Sequence, residues 1–230
     1  RTVTATAASL DRGTNHATLL VRGQMMGLTS GERGQLIFSA APTGAIGGGG
    51  AAASTTISIF PYMVGESAAM TDATLTDNYG NSFVMNTGTT NGLRPLDLAT
   101  EYTLNQAGFD ALTGTAVNNV RFALNPAGTL AGTATQINSL VLDSSTEALT
   151  VNGPASSLNI KSGAILATTT TPANAMTLGG FTGLTTDAGN DYTVYVTNPT
   201  STFTLNTPLT TAAPLVKAGA GTLVLGAVNS

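Results

Sequence analysis

The residues able to do chemistry are few. His16 is the only histidine, and it sits in Thr14-Asn15-His16-Ala17. A Ser-His-Asp relay would have to run through that one imidazole. The chain has neither a G-x-S-x-G elbow nor a G-D-S-G stretch to supply the nucleophile, so His16 reads as an exposed turn residue. Glycosidic acid–base work needs two facing carboxylates. The candidates are Asp72 with Asp77 and Asp187 with Asp191, and both pairs lie in Gly/Asn/Thr-rich stretches without a local basic partner. They read as surface turns, where Asp bonds its own backbone. Asp187-Ala-Gly-Asn-Asp191 is a weak Ca²⁺ candidate, because its oxygens suit a hard cation but lack the ligand density of an EF-hand loop. Arg94 and Arg121 are expected to pair with Glu101 or Asp97 as structural ties. The expectation is therefore no catalytic residue, no cofactor and no firm metal site.

Composition narrows the classes further. With no Cys there is no disulfide framework, thiol nucleophile or Cys-based zinc site. A net charge of −4, with 8 Lys and Arg in 230 residues, argues against nucleic acid, which needs clustered cations to meet phosphates. Charged residues make up 9% of the chain while hydrophobic residues make up 42%, so low charge does not signal disorder. No apolar run is long enough to span a bilayer. The chain opens at Arg1 rather than Met, as a processed or partial chain would. Absence of Cys also fits a bacterial protein exported unfolded.

The elements that would position any site are short strands. Runs of three to six residues with β-branched or alternating apolar character recur along the chain, each bounded by Gly, Asn, Asp, Pro or Ser. They include Thr2 to Thr6, Ala17 to Arg22, Gln35 to Ser39, Thr56 to Phe60, Ser82 to Met85, Ser139 to Leu142, Ala148 to Val151, Ser157 to Ile160, Tyr192 to Val196 and Thr222 to Leu225. No long helical periodicity appears. Leu140, Leu149 and Leu158 fall nine residues apart, each in an apolar–x–apolar run. That spacing predicts a β-solenoid, in which two or three short strands make one coil and coils stack at about 4.8 Å. Thr, 41 of the residues, suits the flat outer faces where like side chains stack in files. Roughly 20–27 residues per coil would give about ten coils and a rod of ~45 Å. The expected architecture is an all-β, right-handed parallel β-helix in one domain, 1–230. Loops or a small insertion are expected at about 40–125 and the more regular coils at 126–230.

The C-terminus carries a resemblance. Leu215-Val-Lys-Ala-Gly-Ala-Gly-Thr-Leu-Val-Leu-Gly-Ala-Val-Asn229 resembles the autotransporter-associated β-strand repeat, of the form K-x-G-x-G-T-L-x-L-x-G-x-N. Lys217, Gly219, Gly221, Thr222, Leu223, Leu225 and Asn229 match the pattern. Gly226 departs from it, since the Gly-to-Asn spacing is one residue longer here. Ile137 to Asp143 and Leu158 to Leu166 are similar to coils that precede the motif in such proteins. The resemblance implies export, display at a bacterial cell surface and a right-handed β-helix, but no particular activity.

Together these readings lead to an expected non-enzymatic, extracellular structural or adhesive module. Its expected partners are copies of itself, assembled end to end by strand stacking or donation, together with host or environmental surfaces or polysaccharide. The alternatives on the same scaffold are a secreted carbohydrate-active enzyme and a phage tail-fibre shaft.

Overall fold

The structure is a computed structural model describing residues 2–28, 30–31, 33–66, 80–171 and 174–229. Within these residues, strands and turns account for nearly everything. The first half contains β1 (Thr2–Ala7), β2 (Leu19–Val21), β3 (Arg33–Phe38), β4 (Phe60–Gly65), β5 (Ser82–Asn86), β6 (Leu93–Pro95) and β7 (Thr103–Leu104). A single short helix, α1 (Asn105–Asp110), follows. Then come β8 (Thr113–Thr115), β9 (Asn119–Phe122), β10 (Thr133–Ile137), β11 (Ser139–Asp143), β12 (Leu149–Asn152), β13 (Ser157–Ile160) and β14 (Ala164–Thr168). The chain finishes with β15 (Met176–Gly179), β16 (Gly183–Thr185), β17 (Tyr192–Val196), β18 (Thr202–Leu205), β19 (Leu215–Ala218) and β20 (Thr222–Leu225).

Three of the larger sheets are wholly parallel. Sheet I has the order β19-β17-β14-β11-β9-β7, sheet II β16-β13-β10-β8, and sheet III β12-β15-β18-β20. From β10 onward the chain visits them in a fixed cycle, II then I then III. The isolated bridges Thr129–Asn152 and Leu184–Leu209 extend the cycle where no full strand forms. Neighbouring rungs from β9 onward lie 20 to 29 residues apart in sequence: Val120 faces Leu140, which faces Ile165, which faces Val194. In sheet III, Leu149, Met176, Phe203 and Leu223 form one such file. Leu140, Leu149 and Leu158 are the inward residues of β11, β12 and β13, all within 2% of complete burial in one hydrophobic cluster. The nine-residue spacing thus marks successive sides of one circuit through the three sheets.

Burial patterns separate the sheets. β12 reads Leu-Thr-Val-Asn with alternate residues buried, as a strand with one wet face must. β11, β14 and β17 are buried at every position, and their sequences are correspondingly richer in apolar residues: Ser-Leu-Val-Leu-Asp, Ala-Ile-Leu-Ala-Thr and Tyr-Thr-Val-Tyr-Val. The reason is a second layer. The outward residues Val141, Leu166 and Tyr195 of sheet I pack against Ile57, Ile59, Val64, Phe83, Leu96 and Tyr102 from the first half. That layer contains a mixed sheet, β2-β4-β5-β6, with antiparallel pairs at β4–β5 and β5–β6. Beyond it, β1 and β3 form a two-stranded parallel ribbon.

The expected ten coils are not reached. Six strands at about 4.8 Å make sheet I ~24 Å deep, because the described strands before β7 lie outside the three parallel sheets. The strand expected at Thr56 to Phe60 forms later, at Phe60–Gly65, where Phe60 and Tyr62 can pack at a ring separation of 5.9 Å. Helix α1 covers the β7–β8 end of the stack. Its Phe109 is buried 6.0 Å from Phe122. Asp110 accepts hydrogen bonds from the Ala131 and Gly132 amides at 2.8 and 2.9 Å, and Gln106 accepts one from Ala127.

Candidate functional site

Two places gather unusual groups. The first is a cleft of about 210 Å³ where the 11–17 segment meets the II-to-I corner of the coils; its lining includes Asp11, Arg12, Tyr62, Ser162, Asp191 and Thr193. Asp191 precedes β17 and is almost buried. Its Oδ2 meets Arg12 at 2.8 Å and the His16 Nδ1 at 2.7 Å. Arg12 also lies 5.4 Å from the centre of the Tyr62 ring and donates from Nε to the Ala17 carbonyl. Burial pushes the Tyr62 hydroxyl above its ordinary range, Arg12 acts to lower it and Asp11 to raise it.

His16 is thus a half-exposed turn residue, held at φ +53°, that also ties the N-terminal segment to the coils. Its 175-residue separation from Asp191 hid that contact from sequence reading. A His–Asp pair becomes nucleophilic machinery only with a hydroxyl or thiol on the imidazole. Among the described residues no serine or threonine hydroxyl is hydrogen-bonded to His16. Ser162, which lines the cleft, spends its Oγ on the Asn138 carbonyl at 2.6 Å and on the Ala164 amide.

The two Ca²⁺ candidates are engaged separately. Asp187 accepts from Asn159 Nδ2 at 2.7 Å, while Asp191 is held by Arg12 and His16. Among the described residues, no three of His, Cys, Asp and Glu gather as a metal site would require. Asp72 and Asp77 lie outside the described residues. Arg94 forms a two-pronged pair with Glu101, both contacts 2.6 Å; Glu101 also accepts from the Asp97 and Ala53 amides. Burial alone would raise the Glu101 carboxyl, but Arg94 and the two amides outweigh it and leave the group below the usual range. Arg121 pairs instead with Asp143 on the adjoining rung, at 2.6 Å.

Corner asparagines were missed by sequence reading. Asn138 Nδ2 donates to Asn119 Oδ1 one rung away, at 2.8 Å, and to the Ile46 carbonyl. Asn119 Nδ2 donates to the Ile57 carbonyl. These side chains fasten the covering layer to the coils. An Asn shortly before each apolar run, Asn119 next to Val120 and Asn138 two residues ahead of Leu140, was the available signal.

The second place is the β19–β20 end, which holds the residues matched to the repeat pattern. Gly219 turns the chain from sheet I to sheet III at φ +78°, and a Cβ there would lie 2.3 Å from the Val196 carbonyl oxygen. A Cβ on Gly221 would meet the Asn198 carbonyl at 2.4 Å. Lys217 Nζ caps this corner by donating to the Gly219 carbonyl at 2.5 Å. Thr222 begins β20, and its amide donates to the Ser201 carbonyl at 2.9 Å. Leu223 packs on the core, but Leu225, on the same inward file, is 41% exposed. Asn229 accepts from the Leu209 amide at 2.9 Å. At the displaced Gly226 a Cβ would meet Asn206 Oδ1 on the rung below, the movable end of a side chain. Among the described strands, β19 pairs only with β17 and β20 only with β18. This end exposes Leu215, Val224, Leu225 and Val228.

Compared with protein-family models, curated proteins and solved structures, the chain matches none. Among the described residues no helix is long and apolar enough to cross a membrane.

Proposed function

We propose that the chain is a right-handed parallel β-helix serving as a structural or adhesive, non-catalytic module at a bacterial cell surface, and that it assembles with copies of itself into a fibre. The observation that carries this reading is the stacking of parallel rungs in sheets I, II and III around one apolar core. A strand whose edge is uncovered is a template for another strand, and a stack of such rungs is lengthened by a further chain of the same pattern. The II-I-III cycle around one shared core supports the helical winding. Its hand follows from the near-universal right-handedness of parallel crossovers. The resemblance of Lys217 to Asn229 to a passenger-type repeat supports display outside the cell.

Electron microscopy of the isolated protein at low salt and neutral pH, paired with sedimentation over a range of concentrations, tests the reading. The expected result is filaments whose mass grows with concentration. Single short particles at every concentration would overturn it.

A further inference from the structure

The cleft beside Asp191 offers no nucleophile to His16, yet it gathers polar atoms that the fold leaves without partners. Among the described residues, seven buried side-chain nitrogens and oxygens make no hydrogen bond. Three of the seven belong to this corner: Arg12 Nη2, Thr193 Oγ1 and the Tyr195 hydroxyl. Thr193 and Tyr195 are alternate residues of β17 and face the first-half layer together. Thr193 and Arg12 line the cleft itself. Buried polar atoms are nearly always paired, and an orphan is destabilising. Orphans that converge on a cavity point to a ligand that satisfies them.

We propose that this cleft binds one ring of a neutral, hydroxyl-rich carbohydrate, with Thr193, Asp191 and Arg12 as its polar contacts. The proposal rests on the adhesive part of the reading above, gives it a ligand, and does not depend on fibre formation.

Size sets the first limit. The cleft holds about 210 Å³, less than the ~300–1,000 Å³ of pockets for drug-sized ligands, which suits a single ring. Gly13 and Gly189 are exposed lining residues, and a Cβ on either would meet nothing within 4 Å. Further rings of a chain therefore have room to run out into solvent.

Chemistry sets the class. A sugar hydroxyl both donates and accepts, so it needs both kinds of partner within reach. Asp191 commits Oδ2 to Arg12 and His16, which leaves Oδ1 as an acceptor. Arg12 Nη2 lies 2.8 Å from that carboxylate without a well-directed hydrogen bond, so its N–H groups are left to donate. Thr193 Oγ1 does either, and its residue is 1% exposed. Ile46, Pro61 and Tyr62 add apolar lining for the C–H face of the ring. Charge opposes the other classes. Asp11 and Asp191 outnumber Arg12 in the lining, which repels an anion. An ammonium ligand would have to displace Arg12, which already lies 5.4 Å from the Tyr62 ring centre and against Asp191.

His16 is the only histidine and is bonded to Asp191, so its ring resonances in a nuclear magnetic resonance spectrum report on the cleft. The full chain is titrated at fixed pH with the methyl glycosides of glucose, galactose, mannose and N-acetylglucosamine. Methyl glucuronide is the anionic probe and tetramethylammonium the cationic one. At least one neutral glycoside should shift the His16 signals saturably, and both charged probes should bind at least about tenfold more weakly. Thr193→Val keeps the outline of the side chain and removes only the orphan oxygen. It should weaken the glycoside about fivefold or more while the thermal midpoint holds or rises; a purely structural Thr193 would leave the affinity unchanged. No saturable shift with any neutral glycoside, a charged probe that binds as tightly, or full affinity in Thr193→Val would each overturn the proposal. None of these results bears on filaments, which microscopy decides separately.

Discussion

Two tyrosines at the contact between sheet I and the layer outside it are expected to respond oppositely to loss of one oxygen. Tyr102 is 2% exposed, and its hydroxyl accepts from the Phe83 amide at 3.0 Å and shares a hydrogen bond with Ser82 Oγ at 3.0 Å. Tyr195 is equally buried and packs edge-on to Phe83 with ring centres 6.5 Å apart, but among the described residues its hydroxyl has no hydrogen-bond partner. Burial raises both phenols, Tyr102 to about 12. In Tyr102→Phe the Phe83 amide is left buried and unpaired, which costs about 1–3 kcal/mol. In Tyr195→Phe an oxygen that was stripped of water without compensation disappears, so stability should hold or rise by up to about 1 kcal/mol. For a chain of this size, ~1 kcal/mol corresponds to about 2–4 °C in Tm. Guanidinium unfolding followed by far-ultraviolet circular dichroism, with thermal melts alongside, measures both. Tyr102→Phe should fall by roughly 4–8 °C for a loss of ~2 kcal/mol, and Tyr195→Phe should not fall. A matching loss in the two variants would refute the argument that hydrogen-bond satisfaction, rather than ring packing, distinguishes them.

Glu101 should contribute to acid sensitivity. Its folded pKa lies below the ordinary 4.5, so its stabilisation is present above that value and is lost as pH falls through the lowered folded one. Glu101→Gln should remove this share of the acid dependence and cost about 3–5 kcal/mol at pH 7, since Arg94 then stays buried without its counter-charge; urea titrations at pH 7 and pH 3.5 read both effects. At the II-to-I corner, Gly163 sits at φ +67° with a virtual Cβ 1.9 Å from the Asp191 carbonyl oxygen. Gly163→Ala should destabilise by at least ~2 kcal/mol and speed proteolysis of the 11–17 segment, whereas Gly189→Ala, with open space around it, should cost only the ~1 kcal/mol of its backbone conformation.

The strands of the regular half were legible because apolar–x–apolar runs bounded by turn residues have little alternative to a half-buried strand. Most of those read there, such as Ser139 to Leu142 and Ser157 to Ile160, formed close to the expected bounds. Several others were missed. β15 and β16 are brief and each carries a Gly, β6 is a three-residue strand paired in a hairpin with β5, and β7 is two residues long and held by β9. The cleft was less legible still. Arg12 and His16 reach Asp191 only because the first-half layer folds back over the coils, and no local spacing encodes that return.

The sequence by itself determined the all-β character and the small residues at tight turns, because each is a local matter of side-chain alternation and permitted backbone angle. Only the tertiary structure decided which face of which sheet is dry, which charges meet and which edges stay open. Those depend on contacts between residues a hundred or more positions apart. The near-continuous burial of Val141, Leu166 and Tyr195 on the outside of sheet I exists because Ile57, Phe83 and Tyr102 are brought there to cover it.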